Sequence, residues 1–134
     1  MIQTYTFEGF YNHKEIEGKL IGEIEIHSEG FFESVTIDCT CKVPEQTIKG
    51  RIYNEANSSK LSFFRYPKDK DIARVVYLLE KSKTTDFSGK YIGQWIRLPY
   101  TINTNEDIKS AFAEIDPEVC GVQGYTELEL HRKM

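Results

Sequence analysis

Hydrophobic and polar residues alternate along most of this chain, which is the pattern of half-buried β-strands. The segments that alternate, or that are rich in aromatic and β-branched residues, are 2–11, 18–27, 31–42, 47–53, 60–66, 73–80, 89–98 and 124–131. Short runs of turn-forming residues separate most of these segments, and such connections favour hairpins between neighbouring strands. The pattern therefore predicts an all-β fold, a single antiparallel meander β-barrel of about eight strands that spans residues 1–134 as one domain.

Residues 31–42 show the alternation with Val35, Ile37, Cys39 and Cys41 on one face. We expect this apolar set to face the core, with the two cysteines as small hydrophobic side chains. The alternative is a metal site, completed by the third cysteine or by a histidine. Structural zinc usually draws on two closely spaced ligand pairs, and the sequence has no second pair, so we predict no metal. An odd number of cysteines also excludes a complete disulfide framework, and we expect all three to be reduced.

One short helix is predicted before the last strand, at about residues 105–115. The residues that carry this prediction are the capping-box pair Thr104 and Asp107, the apolar stripe Ile108, Phe112 and Ile115, and the terminator Pro117. The preceding strand carries Ile92, Ile96 and Leu98 on its outer face, where an apolar ridge needs cover. We expect the helix to lie over this ridge. The alternative is a homodimer that forms through the same three residues.

A glycine recurs between two apolar positions in four of the predicted strands, at Gly9, Gly22, Gly50 and Gly93. Glycine weakens a strand, so its repeated presence indicates the bends that a sheet needs when it curls into a barrel. Gly22 and Gly50 share the apolar face of their strands, and we therefore expect the glycine faces to point inward. This orientation turns the following residues toward the interior: Phe7, Tyr11, Tyr91, Trp95 and Arg97.

The strand order, the short hairpins, the late helix and the Gly93-Gln94-Trp95 tripeptide resemble those of the calycins. This β-barrel superfamily includes the lipocalins and avidins. The resemblance is architectural and covers the whole chain. It implies a cavity suited to a small molecule, and no particular ligand.

The inward aromatic residues suggest a candidate site, because ligand pockets combine apolar walls with a few polar anchors. Arg97 offers a planar fork for a carboxylate or a phosphate. The predicted ligand-binding residues are Trp95, Tyr91, Arg97, Tyr11 and Phe7. The alternative is that the aromatic residues only fill the barrel and that Arg97 ends its strand at the rim with its stem covered. For Arg65 the same two alternatives apply, an anchor for a ligand or a residue at the rim with only its stem covered.

Composition and motifs exclude several classes of function. The net charge of −4 argues against binding to nucleic acid. No apolar run approaches the ~18 residues that cross a bilayer, and the first residues do not resemble a signal peptide, so we expect a cytoplasmic protein without a membrane partner. Familiar catalytic and nucleotide-binding signatures are missing from the sequence, so we predict no catalytic residues and no cofactor.

Three functions are compatible with these observations. The leading hypothesis is a non-enzymatic binding module that holds a small, partly apolar or anionic ligand in the barrel. The second is a protein-interaction or structural subunit with a filled barrel and no ligand. An enzyme built on the same barrel is the third and the least favoured.

Overall fold

The computed structural model describes residues 2–13, 16–38, 45–67, 70, 72–104, 108–113, 115 and 122–133. Eight antiparallel strands follow one another in chain order and close into a barrel, because the first strand pairs with both the second and the last. The strands are β1 (Gln3–His13), β2 (Ile16–Ile26), β3 (Phe31–Asp38), β4 (Glu45–Glu55), β5 (Ser58–Pro67), β6 (Ile72–Ser82), β7 (Gly89–Asn103) and β8 (Val122–Arg132). The predicted all-β meander barrel is confirmed.

One helix, α1 (Ile108–Ala113), lies between β7 and β8, and a 3₁₀ turn at Ser28–Gly30 joins β2 to β3. The predicted helix is therefore confirmed over six described residues. Asp107 and Pro117, which served as its start and stop signals, lie outside the described residues. Within the part of the chain that the structure describes, no helix has the length and apolar composition needed to span a membrane.

The barrel interior is packed with apolar side chains from all eight strands. The buried members of this interior cluster are Tyr5, Phe7, Leu20, Ile24, Ile26, Phe32, Ile48, Ile52, Leu61, Phe63, Tyr77, Leu79, Tyr91, Trp95, Leu128 and Leu130. Burial of this apolar surface is the main favourable contribution to folding. Among the described residues, each of the eight strands pairs with a neighbour on both sides.

Two glycines show why the barrel can close so tightly. A β-carbon at Gly9 would overlap the backbone carbonyl oxygen of Glu127, and one at Gly93 would overlap that of Leu78. Only a residue without a side chain permits this approach of neighbouring strands. Tyr91, two residues before Gly93, is buried in the interior cluster, as the predicted inward orientation of this face requires.

The prediction for β3 is wrong, because its apolar alternating set faces outward. Val35 and Ile37 are 44% and 42% exposed, whereas Phe32 and Thr36 are buried on the inner face. The inner face of β3 carries the large Phe32 ring. Thr36 is accommodated inside because its hydroxyl donates to the carbonyl oxygen of Ile21 at 2.9 Å.

The three cysteines, Cys39, Cys41 and Cys120, lie outside the described residues, so the predictions about their redox state and metal binding stay predictions. Among the residues that the structure describes, no group of three or more His, Cys, Asp or Glu side chains is placed to hold a metal ion.

A second apolar cluster lies on the outer wall of the barrel, where α1 packs. Its buried members are Phe64, Tyr66, Ala73, Val76, Ile96, Leu98, Ile102 and Ala111. The ring of Phe112 on α1 stacks on Phe64 with a centroid separation of 4.6 Å. Ile96 and Leu98, two residues of the predicted ridge, are buried in this cluster, whereas Ile92 remains 43% exposed.

Candidate functional site

The strand connections gather at two ends of the barrel, and the predicted site residues divide between them. One end holds the β2–β3, β4–β5 and β6–β7 connections, and we call it the Phe87 end after a residue of its β6–β7 loop. The other end holds the remaining connections, and we call it the Trp95 end after the tryptophan on β7. Much of the connecting chain at the Trp95 end lies outside the described residues.

The loop 83–88 lies at the Phe87 end, where two buried tyrosines hold it in place beside a pocket of about 370 Å³. The Tyr91 hydroxyl donates to the carbonyl oxygen of Phe87 at 2.8 Å, and the Phe87 amide donates to the Tyr5 hydroxyl at 3.2 Å. Burial raises the pKa of Tyr91 far above its ordinary value, so its hydroxyl remains a donor. These bonds give Tyr91 a structural role at this end of the barrel.

Trp95 is fixed at the opposite end by a hydrogen bond that spans three strands. Its indole Nε1 donates to the carbonyl oxygen of Asn12 on β1 at 2.6 Å. The bond passes over Gly124 on β8, where a β-carbon would overlap both Nε1 and the Asn12 oxygen. Trp95 is only 7% exposed in this arrangement. Gly124 therefore makes the space that the indole occupies.

Tyr11 depends on a second glycine in the same way. Its ring lies against Gly18 of β2, where any β-carbon would overlap it. From there it makes edge contacts with Trp95 and Tyr77, at centroid separations of 6.1 and 6.4 Å. Tyr11 is half-buried, so it links the interior cluster to the surface of the Trp95 end.

Strand register organises the remaining residues of this end into two rows across β5, β6 and β7. The inner row, nearer the middle of the barrel, is Phe63, Tyr77 and Trp95. The outer row, nearer the Trp95 end, is Arg65, Val75 and Arg97. Residues two apart on a strand share a face, so both rows belong to the inward-facing side of the sheet. The guanidinium of Arg65 lies over the Tyr11 ring at 4.8 Å and near the Tyr77 ring at 5.8 Å. The outer row thus places the Arg65 guanidinium over aromatic rings, and Arg97 shares the same face of the sheet.

The structure brings together some of the five predicted site residues and separates others. Tyr11 and Trp95 are in contact, and Arg97 follows one step further out on β7 with an exposed side chain. Arg97 does not end its strand, because β7 continues to Asn103. Phe7 is buried in the interior, with its ring against Gly22. Tyr91 belongs to the Phe87 end. The ligand-binding role of these residues stays a prediction.

Two residues of this end were missing from the predicted site, namely Val75 and Tyr77. Alternation within 73–80 places both on one face, and the hairpin register with Arg65 would have aligned them. A shift in strand register between Ala73 and Val75 lies in the pairing of β6 with β7, so alternation alone does not give the alignment of Val75 with Arg97. Such bulges re-aim side chains and are frequent next to functional sites.

A groove on the outer wall has room for a partner. It has a volume of about 600 Å³ and lies on β4 to β7 beside α1. Its lining includes the apolar residues Leu78, Ile92, Phe112 and Ile115. Exposed Ile92 lies in this groove, which continues the apolar cluster that packs under α1.

No protein-family model, curated protein or solved structure matches this chain. The geometry of the barrel and of its two ends is therefore the basis for a functional proposal.

Proposed function

We propose that this chain is a non-enzymatic binding module that takes a small, partly apolar or anionic ligand at the Trp95 end of the barrel. One observation carries the proposal. Arg65 on β5 and Arg97 on β7 share the inward face of the sheet on either side of Val75 on β6, next to an aromatic row that includes Trp95. Apolar walls with few, well-placed charged groups are the usual composition of a small-molecule site.

The packed interior favours a site at the barrel end over a central cavity. Side chains from every strand meet in the middle of the barrel, and the loop 83–88 is bonded to Tyr5 and Tyr91 at the Phe87 end. A ligand would then lie against Tyr11 and Trp95, with Arg97 and Arg65 as anchors. Phe7 and Tyr91 would support this wall from within the core. A calycin-like relationship, with the ligand nearer the rim than in an open cup, is part of the same proposal.

Trp95 provides the test, because it is the only tryptophan in the chain. Its burial predicts a blue-shifted emission, and the proposal predicts a further change when a lipophilic anion such as anilinonaphthalene sulfonate is added. Arg97→Gln should weaken that response. Arg132→Gln is the matched control, since Arg132 is an exposed arginine of β8 near the Phe87 end. An emission that no such anion changes would contradict the proposal.

The outer groove favours the second candidate function, a protein-interaction or structural subunit. The observation that supports it is the exposure of Ile92, a large apolar residue in this groove. The groove continues the apolar cluster under α1. A homodimer or another protein could cover it. Sedimentation of Ile92→Glu tests this candidate, with Ile72→Glu as the control because Ile72 is equally apolar and exposed on β6. A monomeric wild-type protein would exclude the homodimer.

The proposed module belongs in the cytoplasm. The odd number of cysteines supports this, because a reducing compartment keeps free thiols stable. Thiol titration of the denatured protein, without added reductant, should find all three cysteines reactive. A lower count would indicate an oxidised pair.

A further inference from the structure

We infer that the Phe87 end of the barrel holds a second ligand site, which takes a small monocarboxylate with an apolar body and anchors it on Arg51. The site is the pocket of about 370 Å³ beside the loop 83–88. It lies at the opposite end from the proposed site at Trp95 and does not depend on the proposed function. Its basis is Arg51, a guanidinium with a defined position and defined partners at the edge of this pocket.

Two aromatic rings on the outer face of the sheet hold the Arg51 side chain. Phe31 is its register partner on β3, and Tyr53 follows two residues later on the same face of β4. The guanidinium carbon of Arg51 lies 5.2 Å from the centroid of the Phe31 ring and 4.7 Å from that of the Tyr53 ring. These contacts restrict the half-buried arginine, and a cation that is fixed in advance loses less conformational entropy when it binds an anion.

The 3₁₀ turn that joins β2 to β3 fixes the guanidinium further. The Nε of Arg51 donates to the carbonyl oxygen of Glu29 at 2.8 Å. Glu29 has a φ of 60°, which residues with a side chain seldom adopt. The next residue, Gly30, lies so close to β4 that a β-carbon there would overlap the carbonyl oxygen of Ile52. The turn is thus packed on β4 with the Glu29 carbonyl group beside Arg51.

Most N–H donors of Arg51 are available to a ligand. Within the part of the chain that the structure describes, the bond to Glu29 is the only hydrogen bond of Arg51, and no carboxylate lies within ion-pair distance of it. A guanidinium has five N–H donors, so four remain on its two terminal NH₂ groups. One donor from each of these groups matches the two oxygens of a carboxylate.

The lining of the pocket indicates the remainder of the ligand. Ile26, Ile52 and Phe87 supply apolar surface where the pocket meets the interior cluster. Among the described residues of the lining, Glu29 is the only acidic one and Arg51 the only lysine or arginine. The Glu29 carboxylate would repel a second negative charge on the ligand, so the site favours a monoanion over a phosphate. The expected ligand class is a carboxylic acid with a small apolar or aromatic body.

Matched probes test whether the pocket recognises the charge. Phenylacetate and its neutral counterpart phenylacetamide are titrated into the intact ¹⁵N-labelled protein and followed by NMR. Phenylacetate should bind at least about tenfold more tightly, because it makes charge-assisted hydrogen bonds that the amide does not. The largest shifts should occur at the Phe87 and Glu29 amides and at the Nε–H group of Arg51. Phenyl phosphate should bind no more tightly than phenylacetate.

Variants then assign the anchor. Arg51→Gln should lower the affinity for phenylacetate by about tenfold and leave that for phenylacetamide unchanged. Arg51→Lys, which keeps the charge and loses the planar fork, should recover only part of the affinity. Arg132→Gln is the control, because it removes an exposed arginine near the same end and should bind both probes like the wild type.

Several results would overturn the site. Equal affinity of the wild type for phenylacetate and phenylacetamide would do so without reference to any variant, as would the absence of binding by both probes. Shifts confined to Tyr11 and Trp95 would place phenylacetate at the other end, which supports the proposed function and not this site. An equal loss of affinity in Arg132→Gln would replace the specific role of Arg51 with a general effect of charge. Tighter binding of phenyl phosphate would overturn the choice of a carboxylate.

Discussion

The two ends of the barrel are built by different means. At the Phe87 end, hydroxyl and backbone groups bond to one another, as Tyr5, Phe87 and Tyr91 do. At the Trp95 end, aromatic rings from β1, β6 and β7 meet in the space that glycines leave free, and charged groups lie outermost. The first end uses its polar groups to hold its own loop. The second places the Arg65 guanidinium over aromatic rings, with Arg97 on the same face of the sheet, which is a reason to look for a ligand there.

The largest expected effect comes from filling the space over which the indole lies. Gly124→Ala would overlap both the Trp95 nitrogen and the Asn12 carbonyl oxygen. We expect a loss of about 2–3 kcal/mol in the free energy of unfolding, the upper range for an overpacked site. The Trp95 emission should shift to the red as the indole leaves its position. Chemical denaturation followed by fluorescence measures both, and an unshifted emission would show that the bond to Asn12 does not hold the ring.

A second substitution tests the Phe87 end by removing one hydroxyl group. Tyr91→Phe leaves the buried Phe87 carbonyl without its donor, which costs about 1–2 kcal/mol. Tyr125→Phe is the control, because the Tyr125 hydroxyl bonds to Glu127 on the exposed outer wall. Neither variant should change the Trp95 emission or anion binding at the Trp95 end. A binding defect in Tyr91→Phe would show that Tyr91 takes part in the binding site and that the site is not confined to the Trp95 end.

The fold was largely predictable because closure of a meander barrel leaves a period of two in nearly every strand. The inner face of β7 followed from the glycine pattern, since Gly93 shares its face with Tyr91 and Trp95. Apolar alternation gave the wrong inner face for β3, which has no glycine of this pattern. Its outward Val35 and Ile37 are as apolar as core residues, whereas its inner face carries Phe32 and Thr36.

The candidate site was only partly predictable, for two physical reasons. Alternation gives the face of the sheet on which a residue lies, but not its position along the barrel axis. Tyr91 and Trp95 were therefore predicted as one site, although they belong to opposite ends of the barrel. The position of a residue along the barrel axis relative to residues of other strands depends on the register between the strands. Alternation within one strand does not give the register of Val75 with Arg65 on β5 and Arg97 on β7, and the pairing of β6 with β7 also has an irregularity next to Ala73.

A turn at the Phe87 end offers a gain in stability. Ala56 has a φ of 54° in the two-residue β4–β5 connection, a backbone conformation that favours glycine at this position. Ala56→Gly should raise the free energy of unfolding by about 0.5–1 kcal/mol, after the greater freedom of glycine in the unfolded chain is counted. Ser58→Gly is the control, because it places glycine in the adjacent strand and should destabilise. Thermal unfolding compares them, and a destabilised Ala56→Gly would contradict the expected strain.

The smallest effect concerns pH and the loop 83–88. The Asp86 carboxylate accepts a hydrogen bond from the Ser88 amide at 2.8 Å, which lowers the pKa of Asp86 below its ordinary value, with a smaller contribution from Arg132 and Lys81. A lowered folded-state pKa means that the carboxylate stabilises the fold above the unfolded value of about 3.9 and that this contribution is lost as pH falls through the folded value. Asp86→Asn keeps an acceptor but does not titrate. The stability of the wild type relative to this variant should therefore be greatest at neutral pH and shrink below about pH 4. Urea denaturation across this range measures the difference, and a difference independent of pH would show that the Asp86 charge does not help to hold the loop.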